Sequence, residues 1–124
     1  MVKGKLWDVA LCLVLVAALS MGISKAVWGW GSVFSFRLFW VMSESMEPMI
    51  LENRLVVGKL AGDGDLVVGE IYAYWREGMF GKEMVIHRLV GVTEDGAYIF
   101  QGDNNAEADR AVLREQVGYW IVWY

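Results

Sequence analysis

"MVIHRLVGVTEDGAYIFQG", residues 84–102, is the stretch from which the architecture of this chain can be read. Two runs rich in Val, Ile, Tyr and Phe flank Glu94-Asp95-Gly96, and Asp-Gly supplies the positive φ that tight hairpin turns demand. Residues 84–93 and 97–102 are therefore expected to pair as antiparallel strands. On either side the texture repeats: apolar, β-prone blocks separated by Gly, Asp and Asn. The candidate strands are "FSFRLFWV" (34–41), "RLVVGKL" (54–60), "DLVVGEIYAYW" (65–75), the two hairpin arms, and "QVGYWIVWY" (116–124). Nothing in this region longer than a turn has a helical pattern, and no repeat or linker interrupts it. Residues 31–124 are expected to form one small, mostly antiparallel β-domain.

The C-terminal run "YWIVWY" does not alternate as a half-exposed strand would. It suits either a strand buried on both faces or one entering a membrane interface, and the second is preferred. The start of another membrane segment is the remaining alternative.

Residues 1–30 read differently. "DVALCLVLVAALSMGISK" (8–25) has no charge between Asp8 and Lys25, close to the ~17–25 apolar residues needed to span a bilayer. Lys3, Lys5 and Lys25 can snorkel at its ends, and Trp28 and Trp30 suit the interface just beyond. One transmembrane helix over about residues 6 to 27 is expected, with residues 1–30 as an N-terminal anchor. The alternatives are a buried soluble helix, which an apolar character on every face opposes, and a secretory signal cleaved after "SKA". Lysine distribution favours a cytoplasmic N-terminus and an exported body.

The chain has 124 residues and 14.0 kDa, a size for one compact domain behind the anchor. Residues 31–124 carry eight Lys/Arg against fourteen Asp/Glu, a net of −6. So acidic a body argues against nucleic acid as a partner. Cys12 is the only cysteine and lies in the apolar run, which excludes an intrachain disulfide and a cysteine zinc site. His87 is the only histidine. No pair of histidines has zincin spacing and no phosphate-cradling glycine loop is present, so neither a metal nor an organic cofactor is expected.

What remains for chemistry is serine, histidine and aspartate, in that order along the chain. A serine hydroxyl is a weak nucleophile until a base removes its proton, and an imidazole oriented by a carboxylate can do so near neutral pH. By composition alone, a lone histidine such as His87 is more often a structural strand residue, and serines and aspartates are common in turns.

Spacing sharpens this. Ser43-Glu44-Ser45-Met46-Glu47-Pro48, just after the apolar segment, resembles the Ser-x-Ser-Met-x-Pro signature of signal peptidase I, the membrane-anchored serine endopeptidase that removes signal peptides from exported proteins. Val85-Ile86-His87-Arg88 resembles the base-carrying strand of the family's archaeal and endoplasmic-reticulum branch. Gly102-Asp103-Asn104-Asn105 with Asp109-Arg110 is similar to the third box of that branch. The resemblance implies Ser45 as nucleophile, His87 as general base and Asp109 as the orienting carboxylate. It also implies that Ser43 helps to stabilise the oxyanion. Asp103 is the other candidate for the third role, against a plain turn-capping function.

The resemblance further implies a fold of the signal peptidase type and single-pass membrane attachment, in a cell membrane or, in a eukaryote, the endoplasmic reticulum. The catalytic domain would face the extracytoplasmic side. Secretory preproteins with small residues before the cut would be substrates; the lipid bilayer and the translocation machinery would be further partners. Two positions depart from the family pattern. Glu44 stands where glycine is usual and would perturb His87 if it pointed into the cleft, and Gln101 stands where lysine is frequent. The rival readings are a self-cleaving repressor-type protease, which would use a lysine base and lack an anchor, and an inactive anchored β-domain serving as a binding or scaffold subunit of a translocation complex.

Overall fold

A computed structural model of the chain describes residues 7–19 and 35–124. They belong to two compact units, Met1–Ser35 and Phe36–Tyr124. In the first, residues 7–19 form a helix whose apolar side chains, Trp7, Leu11, Leu15 and Leu19 among them, are exposed. Among the described residues no helix is long and apolar enough to cross a membrane. The span expected over residues 6 to 27 is therefore described only in part; Lys25, the "SKA" site, Trp28 and Trp30 lie outside the described residues.

The second unit is a six-stranded antiparallel sheet of β1 (Phe36–Trp40), β2 (Leu55–Leu60), β3 (Ile71–Gly78), β4 (Gly81–Val92), β5 (Tyr98–Gln101) and β6 (Val117–Trp123). Their spatial order is β1-β2-β6-β3-β4-β5. A single 3-10 turn, Arg114–Gln116, leads into β6. The β4–β5 hairpin closes through the Gly96 N–H to the Thr93 carbonyl at 3.0 Å, with Gly96 at φ 86°. That left-handed value costs a side-chain-bearing residue about 1 kcal/mol or more, which is why glycine follows Asp95.

Two details differ from the sequence reading. Residues 65–70 form a loop and only Ile71 onward is strand, while β3 and β4 run on to Gly78 and Gly81, so that Met79 and Phe80 alone form the hairpin tip. Glu70 explains the first difference: its carbonyl accepts the Leu89 N–H while the Gly69 N–H reaches the Leu89 carbonyl, which ties the loop to β4 and ends its extended run.

β6 is the other correction. It is not buried on both faces: it sits inside the sheet between β2 and β3, and Trp123 and Tyr124 at its end are exposed. Val117 and Ile121 are buried, while Trp120 and Val122 are more than a third exposed. Register shifts against β3 at Ala73/Tyr74 and against β2 at Val57/Gly58 turn the strand as it runs. A bulge moves the following residues to the other face. Val117 thus packs with Tyr72, Tyr74, Leu89 and Phe100, whereas Ile121 packs with Val56, Ile71 and Ala73 on the opposite side. A strand that feeds two cores carries apolar residues at nearly every position, and its alternation is lost.

Candidate active site

Each residue of the site sits on an element with its own reason to be rigid. Ser45 lies in a tight loop after β1, closed by Val41 N–H to the Arg54 carbonyl at 2.9 Å and by Ile50 N–H to the Met46 carbonyl at 2.9 Å. Met46 and Ile50 are 1% and 2% exposed and anchor the loop in the core with Val41 and Val56. Buried Val41 before Ser45, and Met46 and Ile50 after it, fix the backbone on either side. The Glu47–Pro48 peptide is cis.

The loop after β5 supports it from the other side. Asn104 donates its backbone N–H to the Ser45 carbonyl at 2.8 Å and its side-chain amide to the Glu44 carbonyl at 3.1 Å. Gly102 makes that approach feasible, since a Cβ there would lie 2.6 Å from the Ser45 carbonyl oxygen.

His87 is on β4, directly opposite Tyr72 of β3, and is 4% exposed. Its Nε2 is 3.0 Å from Ser45 Oγ, and its Nδ1 is 2.5 Å from Asp109 Oδ2. A carboxylate only accepts, so the Nδ1 position carries the proton and donates it to Asp109. The Nε2 lone pair is left facing the serine hydroxyl. Ser43 Oγ lies 3.0 Å from Ser45 Oγ, on the edge of the same cleft.

The structure thus brings Ser43, Ser45, His87 and Asp109 together. It places Asp103 elsewhere: both its oxygens accept from Arg88, Nε at 2.9 Å and Nη2 at 2.7 Å, while Arg88 Nη1 donates to the Gly69 carbonyl. This two-pronged pair raises the Arg88 guanidinium above its ordinary range. Asp103 therefore fastens the 102–105 loop to β4. Glu44 is exposed and is not among the residues lining the cleft. Gln101 donates its side-chain amide to the Asn105 carbonyl within the same loop.

Sequence reasoning missed two contributors. Tyr74 of β3 donates its hydroxyl to Asp109 Oδ2 at 2.6 Å and stacks its ring on Phe100 at 4.8 Å. Burial first, then the hydrogen bond and negative charge of Asp109, push the phenol well above its ordinary range; Arg76 opposes the shift. The hydroxyl is therefore a lasting donor. The available signal was a tyrosine at an inward strand position, because a buried phenol needs a partner. Asn104, the other, lies in a box noted only as a motif.

A cleft of about 340 Å³ opens in front of Ser45 and His87, small enough to suit a short peptide segment. Trp40, Met42, Met84 and Ile86 give it apolar walls, and Arg76 and Glu83 line its far part. Over Gly81–His87, β4 pairs with β3 on one side and has no strand on the other among the described residues. That edge can accept the main chain of an extended peptide.

No protein-family model matches the chain. No solved structure matches it either. Signal peptidase I W of Bacillus subtilis (strain 168) is similar to it, 28% identical over 120 residues that cover 94% of this chain. The chain spans 62% of the length of that curated relative. The similarity covers nearly the whole of this chain, and it is to a signal peptidase I.

Proposed function

We propose that this chain is a membrane-anchored serine endopeptidase that cleaves signal peptides from exported preproteins, of the archaeal or endoplasmic-reticulum type. The observation that carries the reading is the continuous contact from Ser45 Oγ through His87 to Asp109, at 3.0 and 2.5 Å. Similarity to a signal peptidase I supplies the substrate class.

In this reading an extended preprotein segment lies in the cleft along the free edge of β4, with its scissile carbonyl carbon at Ser45 Oγ. His87 Nε2 takes the hydroxyl proton as Oγ attacks, and Asp109 stabilises the imidazolium that forms. The Ser43 hydroxyl turns from Ser45 to the developing oxyanion, joined by the Ser45 backbone N–H. The imidazolium then protonates the leaving amine, which departs as the C–N bond breaks. Water, deprotonated by His87, hydrolyses the acyl-serine and restores the enzyme. Histidine as base fits the Nδ1–carboxylate contact, which leaves Nε2 free to accept.

Exposed apolar side chains along residues 7–19 support an anchor in the bilayer. Exposed Trp40, Met42, Met79 and Phe80 support contact of the catalytic unit with lipid. The catalytic unit would stand on the extracytoplasmic side, where preproteins emerge from the translocation machinery.

The experiment is cleavage of a preprotein bearing a small-x-small site by the full chain purified in detergent. Correctly placed cleavage, abolished in Ser45→Ala and in His87→Ala, is expected. Undiminished cleavage in Ser45→Ala would overturn the assignment, and absence of any cleavage by the wild type would favour the scaffold-subunit reading.

A further inference from the structure

A carboxylate that orients a base needs its own fixed position, and His87 alone does not provide one. Asp109 follows an irregular loop and its carboxylate could rotate about its side-chain torsions. Two contacts prevent this. Its backbone N–H donates to the Phe100 carbonyl at 2.8 Å, and the Tyr74 hydroxyl donates to Oδ2, the same oxygen that His87 Nδ1 contacts. Tyr74 is itself held firmly, at 1% exposure, by stacking on Phe100 and an edge-on approach to the His87 ring at 6.5 Å.

We propose that Tyr74 is a positioning residue of the active site: its hydroxyl locks the Asp109 carboxylate and, by sharing Oδ2 with the imidazole, moderates how strongly His87 is held in its protonated form. The catalytic part of this proposal rests on the endopeptidase reading; the effect on the imidazole does not.

The physical logic is competition for one oxygen. An oxygen that accepts from a phenol donates less electron density to the Nδ1–H than one that accepts from Nδ1–H alone. Without the phenol, the full carboxylate charge falls on the imidazole and favours its protonated form. A base that holds its proton too tightly is unavailable at neutral pH.

Of the other charged groups nearby, Arg76 also acts on the Tyr74 hydroxyl and on the Asp109 carboxylate, and Arg110 follows Asp109 on the same loop. Arg76 of β3 and Glu83 of β4 pair with each other at 2.5 Å. Arg88 of β4 is tied to Asp103. On the nucleophile loop Glu44 is exposed outside the cleft, and Glu47 accepts the Glu52 N–H at 3.2 Å. Tyr74 is the donor that reaches the His87-facing oxygen of Asp109.

The test uses Tyr74→Phe in the full chain in detergent, a change that keeps the stacked ring and removes only the hydroxyl. Since His87 is the only histidine, its protonation is followed directly by nitrogen NMR of the imidazole. The midpoint of that titration, and the acidic limb of the cleavage profile, are expected to move up by roughly half to one pH unit. The plateau rate should fall about tenfold. A titration midpoint unmoved in folded Tyr74→Phe overturns the proposal, whatever the rate does. Should that variant not fold, 3-fluorotyrosine installed at position 74 keeps the ring and strengthens the donor; the midpoint should then fall, and an unmoved one overturns the proposal. Failure of the endopeptidase reading would appear separately, as cleavage surviving Ser45→Ala, with the imidazole titration still measurable.

Discussion

Asn104 holds Ser45 in place through its backbone N–H, 2.8 Å from the Ser45 carbonyl, and steadies the preceding residue through its side chain. Ser45, 42 residues before His87 in sequence, is thus positioned by a loop that follows both. The fit depends on Gly102, where an added Cβ would meet the Ser45 carbonyl at 2.6 Å. Gly102→Ala is therefore expected to destabilise the catalytic unit by about 1–3 kcal/mol and to reduce cleavage roughly a hundredfold, since an ångström of misplacement has that scale of effect. Asn104→Ala, which keeps the backbone bond, should cost about tenfold in kcat with little change in KM. Thermal unfolding alongside steady-state kinetics separates the two.

The two aspartates should part company on substitution. Asp109→Asn keeps the shape but removes the charge that stabilises the imidazolium, and a fall in kcat of about 10⁴ is expected. Asp103→Asn loosens the clamp to Arg88, which is one-quarter exposed, and should lower stability by about 1–2 kcal/mol while leaving most of the rate. Equal losses of rate from both changes would contradict the division of roles.

Alkaline titration offers an independent reading of Tyr74. Its phenol is raised above the ordinary value of 10.0. Above that pH the unfolded chain has lost a proton that the folded protein keeps, so the contribution, full below pH 10, is lost as pH rises through the folded value. The slope is about 1.4 kcal/mol per pH unit for one group. Chemical denaturation between pH 10 and 11.5 should show a shallower decline in Tyr74→Phe than in the wild type.

Met46 anchors the Ser45 loop with 1% exposure. Met46→Ala removes most of a buried side chain and should cost about 2–5 kcal/mol, measured by denaturant unfolding. Met46→Leu, close in volume, should cost less than about 1.5 kcal/mol and preserve most of the activity.

Glu44 stands where the signal peptidase I signature that this loop resembles usually has glycine, and its side chain is exposed away from the cleft lining. Glu44→Gly and Glu44→Gln are expected to change kcat/KM by less than about threefold, as exposed substitutions usually do. The acidic limb of the rate profile should stay in place, which a series of rates between pH 5 and 8 would check.

Much of this protein is local information. The Asp95-Gly96 turn and its arms can be read directly, because positive φ and β-prone runs are short-range properties. The order and spacing of Ser43, Ser45, His87 and Asp109 within three motifs marked in the same way the residues that the fold brings together. Residues 65–70 were misread because an apolar run looks like a strand whether or not a partner is there to pair with it. β6 resisted for a related reason: its face reverses at bulges against β2 and β3, and a bulge belongs to a pair of strands, not to one.

Convergence in space is what the linear chain does not contain. Asp103 and Asp109 are six residues apart in one loop, and either could serve an imidazole; the packing of that loop over β4 turns one to Arg88 and the other to His87. Tyr74 is an ordinary strand tyrosine until β3, β4 and the loop after β5 bring its hydroxyl to the oxygen that His87 contacts. Residue types and turns were determined by the sequence alone, since they rest on torsions and hydrogen bonds between near neighbours. Which groups stand within hydrogen-bond distance was decided by tertiary packing, because a contact of 2.5 to 3.0 Å depends on the joint placement of four separate elements.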